Sequence, residues 1–282
     1  MKNLNTKNIA SVILLTLATI SIAVSQNTYS VEKIEKLEIN GYKAKFNPEG
    51  DKVLFTTSNA TGLKVYDIAK KEVTEIAETP KAGQGAIITN KEIVFKSQNN
   101  LELVDLSTGA RTTIQNDKTP GEYLATKEVV ETSEFVYVKT NENLDEIILV
   151  TKSGGEKHMA PMGRADYLNV ALSPDRSKLL FRVSGVGSFI TDLNGSVIRE
   201  LGNVEFPVWL NNEEVIYAEI EDDGYRYISS DLYIDSIQKF ERQKLTNTTK
   251  AIALYPDISE DQSKVAFSTP NGELYLISLI KE

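Results

Sequence analysis

Few residues in this chain are equipped for chemistry, and their spacing limits what they could do. There is one histidine, His158, and there are no cysteines. A lone imidazole without thiolates cannot build a histidine-rich metal site. His158 lies in Gly155-Glu156-Lys157-His158-Met159, which reads as an outer strand open to water. Ser184-Gly185-Val186-Gly187-Ser188 lacks the spacing of a nucleophile elbow, and also the Lys and following helix of a phosphate loop. Its glycines read as a turn between two strands. No catalytic residue emerges, and the chain is expected to be non-enzymatic.

One segment stands apart. Glu219, Glu221, Asp222 and Asp223 precede Gly224 and offer the carboxylate oxygens that Ca²⁺ takes, although not at EF-hand spacing. A solvated hairpin carries such charges without a metal, so calcium is the one cofactor left open. Tyr225, Arg226 and Tyr227 follow at once, and Tyr, Trp and Arg dominate interface hot spots. Asp222, Asp223, Tyr225, Arg226 and Tyr227 are therefore the candidate binding residues. The nearby Trp209, Tyr217 and Tyr233 read instead as interior packing.

The elements that must position these residues repeat. An extended stretch, a polar turn and an apolar run closing on an aromatic residue recur, most fully at 45–55, 171–181 and 257–267. Weaker copies close on Phe95, Tyr137 and Tyr217, so that successive aromatics from Phe55 to Phe267 are 40, 42, 44, 36 and 50 residues apart. Such a period marks a repeat architecture with one supersecondary unit per copy. In the first unit, strands are expected at 42–46, 53–57, 63–68 and 72–76, with Asn47-Pro48-Glu49-Gly50 as the first turn. Four antiparallel strands in about 40 residues make one propeller blade. Asn194-Gly195 between two apolar runs is a strong hairpin signal of the same kind.

The fold class is thus all-β, a six-bladed β-propeller of four-stranded antiparallel blades. The sixth unit ends one strand short, and the alternating segment 31–39 before the first unit is expected to supply that strand and close the ring. Beyond the N-terminal apolar segment, no stretch keeps helical periodicity for three turns, so no further helix is expected.

The phrases Phe46-Asn47-Pro48-Glu49-Gly50-Asp51-Lys52, Leu172-Ser173-Pro174-Asp175 and Ile258-Ser259-Glu260-Asp261 resemble the WD40-like propeller repeat of the TolB family, whose consensus is a Phe-Ser-Pro-Asp-Gly turn followed by Lys and an apolar run. Leu232-Tyr233-Ile234-Asp235 and Leu274-Tyr275-Leu276-Ile277 resemble its third strands. The resemblance spans about residues 40–282 and implies the propeller without the α/β domain that precedes it in TolB. It carries little about activity, because these residues serve turns and packing.

Composition narrows the setting. Lys2 and Lys7 precede an uncharged apolar run from 9 to 24 ending in Ala23-Val24-Ser25, which reads as a cleavable secretory signal over 1–25, leaving 26–282 as one propeller domain. An uncleaved anchor is the rival, but about 16 apolar residues fall short of the roughly 20 a spanning helix needs. With no Cys to acylate, the protein is expected to be periplasmic or secreted and not a lipoprotein. The net charge of −9, without a basic stripe, argues against nucleic acid and anionic membranes as partners. Two functions stay open. One is a monomeric scaffold that binds a protein partner of the cell envelope. The other is a small-molecule or glycan-binding, even hydrolytic, propeller using carboxylates such as Asp51, Asp175 and Asp261 at the channel mouth.

Overall fold

The computed structural model describes residues 29–115, 118–127, 133–239, 241–247 and 251–282; the leader expected over 1–25 lies outside them. The described chain begins with β1 (Tyr29–Asn40). Blade one follows as β2 (Tyr42–Phe46), β3 (Lys52–Thr56), β4 (Gly62–Asp67) and β5 (Glu72–Glu78). Blade two is β6 (Ile87–Ile88), β7 (Glu92–Ser97), β8 (Asn100–Asp105) and β9 (Arg111–Gln115). Blade three holds β10 (Phe135–Thr140), β11 (Ile147–Thr151) and β12 (Glu156–Met159). Blade four is β13 (Tyr167–Leu172), β14 (Lys178–Val183), β15 (Gly187–Asp192) and β16 (Val197–Gly202). Blade five is β17 (Glu205–Trp209), β18 (Glu214–Asp222), β19 (Tyr227–Ser236) and β20 (Arg242–Lys244). Blade six runs β21 (Leu254–Ile258), β22 (Lys264–Ser268) and β23 (Glu273–Lys281).

Blade six takes its fourth strand from the start of the chain, in the order β1-β23-β22-β21, as the alternation at 31–39 led us to expect. The pairing is antiparallel from Tyr29 opposite Lys281 to Asn40 opposite Glu273. The fold is a six-bladed all-β propeller. Five sheets have four strands; the third has three among the described residues.

A helix, α1 (Pro120–Lys127), precedes that third sheet, which corrects the expectation of no further helix. Its cause is local. Thr119 Oγ1 accepts the Glu122 N–H at 3.2 Å, Pro120 sits where a missing N–H costs nothing, and Glu122 and Lys127 suit the two ends of the helix dipole. Tyr123 and Leu124 pack on Val94, Leu101 and Leu103 of blade two. Gly121 lets the helix lie on the Tyr137 ring, since a Cβ there would be 2.8 Å from Tyr137 Cε2.

The core is a set of seams between neighbouring blades. Leu54 and Leu63 meet Ile93 and Phe95 across the first seam. Ile147 and Leu149 meet Tyr167 and Phe181, and Leu180 and Ile190 meet Val215 and Tyr217. Five of the six recurrent aromatics, Phe55, Phe95, Phe181, Tyr217 and Phe267, are at most 2% exposed, each giving roughly 1.5–3 kcal/mol on burial. Tyr137 is half-buried because its hydroxyl turns to Thr119 Oγ1 at 2.9 Å under the helix.

In an antiparallel meander the connections alternate in direction. The turns between first and second strands therefore lie on one face of the ring, and the turns between second and third strands lie on the other. The inner strands start at this second face. Four of them share a defect near their start: Lys43, Asn169, Phe206 and Tyr255 adopt left-handed φ of 53°, 52°, 52° and 54°. Each falls where its ladder with the neighbouring strand slips register, as in a β-bulge. Holding a bulky residue there costs about 1–2 kcal/mol. We expect Lys43→Gly to be more stable than Lys43→Ala by about 1 kcal/mol in urea unfolding, the reverse of their order in a regular strand. The ordinary order at this position would show that no strain is held there.

Candidate functional site

The second face carries two features, a long hairpin and the mouth of the central channel. The hairpin is β18–β19, whose ladder continues past the blade to Asp222 opposite Tyr227. Its tip is built by the two aspartates. Asp222 Oδ1 accepts the Gly224 N–H at 2.8 Å. Asp223 Oδ1 accepts from the N–H groups of Tyr225 at 3.0 Å and Arg226 at 2.9 Å. Those two backbone donors, Arg226 first, hold the Asp223 carboxyl below the usual carboxylate range. Gly224, at φ 85°, supplies the left-handed turn that only glycine adopts at no cost.

The other acidic residues of this run are engaged elsewhere. Glu219 pairs with Arg242 along the sheet, and Glu221 accepts from Ser229 Oγ at 2.9 Å. The run thus spreads along two strands and a turn; among the described residues, no three of His, Asp or Glu converge where a metal ion could sit.

The residues left free to meet a partner are the ones the tip presents. Tyr225 is 99% exposed, Ile228 58% and Tyr227 40%. The Arg226 side chain is 83% exposed and makes only a long contact to Asp223, Nε to Oδ2 at 3.5 Å. An open cleft of about 850 Å³ lies between the tip and blade six, with Asp222, Tyr225, Arg226 and Tyr227 on one wall and Pro270, Asn271 and Glu273 opposite. Four of the five residues picked from the sequence share this cleft; Asp223 does not line it and instead shapes the turn. Tyr217 is buried, and Trp209 and Tyr233 are partly buried against its cluster, which agrees with their reading as interior.

At the channel mouth on this face the sequence led us to expect carboxylates, and the structure places a lysine and aromatic cluster there instead. Phe206 and Tyr255 pack with ring centroids 4.0 Å apart and ring planes tilted by 40°, and Lys43 Nζ stands 5.2 Å over the Tyr255 ring. With Asn169, Lys45, Ala171 and Val208 they line a cavity of about 300 Å³. Burial pushes the Tyr255 hydroxyl up, helped by Tyr227 and Glu205. Lys45 Nζ meets Asp257 Oδ1 at 2.8 Å, and that carboxylate raises the Lys45 ammonium above the ordinary lysine value. One sequence signal could have pointed here. Pro207 and Pro256 directly follow two of the left-handed residues, and proline inside an inner strand belongs at a bulge.

The remaining candidates are structural. His158 lies on the outer strand β12, with Nδ1 3.0 Å from Glu146 Oε2 and Nε2 3.4 Å from Glu156 Oε2. The Glu146 contact, then Glu156, raises the imidazole above its usual value. Ser184–Ser188 spans the β14–β15 turn as read, and Ser188 Oγ donates to the Val204 carbonyl at 3.1 Å. Asp51, Asp175 and Asp261 serve their own turns on the opposite face. Asp51 accepts from Asn47 Nδ2 at 2.7 Å, Asp175 from Ser173 Oγ at 2.6 Å and Asp261 from Ser259 Oγ at 2.6 Å.

Those turns make a pH signature. Burial tends to raise the Asp261 carboxyl, but the hydroxyls of Ser259 and Ser263 and the Ser263 N–H outweigh it and bring the pKa down to about 2. A depressed carboxylate stabilises the fold above its unfolded value and loses that contribution as pH falls toward the folded one. Carbon-detected NMR titration should place the Asp261 midpoint near about 2. A midpoint at the ordinary value of 3.8 would show that the carboxylate is not held by its turn.

No family model matches the sequence, and no curated protein does either. Solved structures do match. An oligogalacturonate lyase from Vibrio parahaemolyticus aligns at TM-score 0.54 and 12% identity over 87% of this chain and 91% of its own. The β-propeller domain of Cps50 (Swd1) from Myceliophteria thermophila aligns at TM-score 0.46 and 10% identity over 89% and 99%. At such identity the lyase likeness is one of fold alone, and it agrees with the propeller seen in the chain.

Proposed function

We propose that this chain is an exported, non-enzymatic propeller of the TolB-like type that docks a protein partner of the cell envelope through the β18–β19 hairpin. The observation that carries this reading is Tyr225, fully in water at 99% exposure on a hydrogen-bonded tip, with Arg226, Tyr227 and Ile228 beside it. A rigid tip loses little conformational freedom on binding, and a large amphipathic ring fits a partner's pocket as a hot spot. The fold supports the reading without deciding it, since propellers host unrelated activities. Export is supported by the charged and apolar pattern of 1–25, and the TolB-like type by the turn phrases at 47–51, 173–177 and 259–263.

The tip also sets the partner's charge. Glu221, Asp222 and Asp223 outnumber the one cation of this segment, Arg226, so the complementary surface is an apolar pocket with a basic rim. Steering by such charges weakens as salt rises.

A photo-crosslinking residue placed at Tyr225 should give a discrete adduct with an envelope protein, less of it at high salt. The same group at Thr108, in the β8–β9 turn of the opposite face, should give none. Tyr225→Ala should abolish capture by an affinity-tagged chain while changing stability by less than about 0.5 kcal/mol, as for an exposed site. Equal adducts from both faces, or none from either, would sink the proposal.

A further inference from the structure

We propose that the channel mouth is a binding site for a small organic carboxylate carried on a compact apolar or aromatic body. The site is built from separate blades, with Lys43 and Lys45 from blade one, Asn169 and Ala171 from blade four, Phe206 and Val208 from blade five and Tyr255 from blade six. They enclose about 300 Å³, the low end for ligand pockets and room for roughly one ring.

Charge selects the ligand. Among the described residues, Lys43 and Lys45 are the only charged ones lining this cavity, in a chain whose net charge is −9. Asp257 answers Lys45 but lies outside this lining, and its other oxygen accepts the Phe46 N–H at 2.8 Å. Lys43 has no carboxylate partner among the described residues; its ammonium rests over the Tyr255 ring at 5.2 Å. An incoming carboxylate gains an ion pair there without displacing a protein anion, inside a concavity that concentrates the positive potential. The tilted Phe206–Tyr255 ring pair, Pro207, Val208 and Pro256 receive the apolar body.

Backbone strain points to the same place. The same left-handed position recurs at Gly85, φ 69°, three residues before the end of β6 as Lys43 is before the end of β2, so the bend belongs to the repeat, whereas filling it with Lys, Phe and Tyr is particular to this mouth. Strain of this kind, over-determined by its surroundings, gathers at ligand sites. Here it turns three large side chains from three blades toward one point.

The test uses the full chain and defined probes: benzoate and cyclohexanecarboxylate, with acetate, benzyl alcohol and benzylamine as controls, followed by calorimetry and NMR. Both ring carboxylates should saturate at millimolar concentration or below, acetate and benzyl alcohol should bind at least several-fold more weakly, and benzylamine should not bind. Lys43→Gln and Lys43→Asn should each weaken benzoate about tenfold or more, as expected for losing a charged hydrogen bond, and Asn keeps a residue at ease with positive φ. Tyr255→Leu should weaken it too, while Tyr225→Ala leaves it unchanged and so separates this site from the hairpin. The proposal is overturned if neither carboxylate saturates the wild-type chain, or if both Lys43 variants bind benzoate as tightly as wild type does.

Discussion

Everything in this molecule depends on one strand pairing, that of β1 with β23. A ring of sheets in which each blade buries its faces against two neighbours is destabilised by opening, because opening exposes both apolar faces of a seam. Here the closing strand is not adjacent in sequence to the sheet it completes, so pairing ties the first described residues to the last. Backbone hydrogen bonds and burial dominate the closure. Tyr29 is fully buried against Leu232, Phe267 and Ile277, and its hydroxyl donates to Gln262 Oε1 at 2.7 Å. Burial, then the nearby Glu214 carboxylate, pushes that hydroxyl up to about 12, so it stays a donor throughout the physiological range. The Lys36–Glu273 ion pair at 2.6 Å spans the same strands, but both side chains are solvated and such pairs contribute about 0–1 kcal/mol.

Closure also explains how strain is tolerated at the centre. β2 follows β1 after the single residue Gly41, whose N–H donates to the Gly272 carbonyl at 2.7 Å. The start of the first inner strand is thus pinned by the sheet that ends the ring. Lys43 lies two residues further on, and Tyr255 is the second residue of the neighbouring inner strand. The two left-handed residues meet between these strands, with Lys43 Nζ 5.2 Å from the Tyr255 ring centroid. The hairpin uses the same support differently: β18 and β19 are anchored in blade five by Tyr217 and Leu232, both buried, and their far ends extend into water.

Which parts were legible in the sequence follows from what residue types encode. Turns and strand faces did well: Pro48, Gly50 and the Asn-Gly at 194 set local φ, and alternation set which side is buried, so the blades and the closing strand could be placed. Helix α1 was missed because it was sought by periodicity over three turns, whereas its signal is the cap Thr119-Pro120-Gly121-Glu122. The hairpin tip was found because Tyr225, Arg226 and Tyr227 have no repeat counterpart and so no packing role to absorb them. The Lys43, Phe206 and Tyr255 cluster at the channel mouth was not, because Lys43 and Tyr255 at positive φ look like ordinary strand residues. Only tertiary constraint puts them there, and the prolines at 207 and 256 are its faint trace.

β1 is an integral strand of the last blade and not an accessory. Hydrogen–deuterium exchange read by mass spectrometry would show this. Peptides covering residues 29–40 should be protected to the same degree as those covering β22 and β23, and should exchange with them in one cooperative step as denaturant is added. Exchange of 29–40 at the rate of an unstructured chain, while β22 and the inner strands remain protected, would contradict the account.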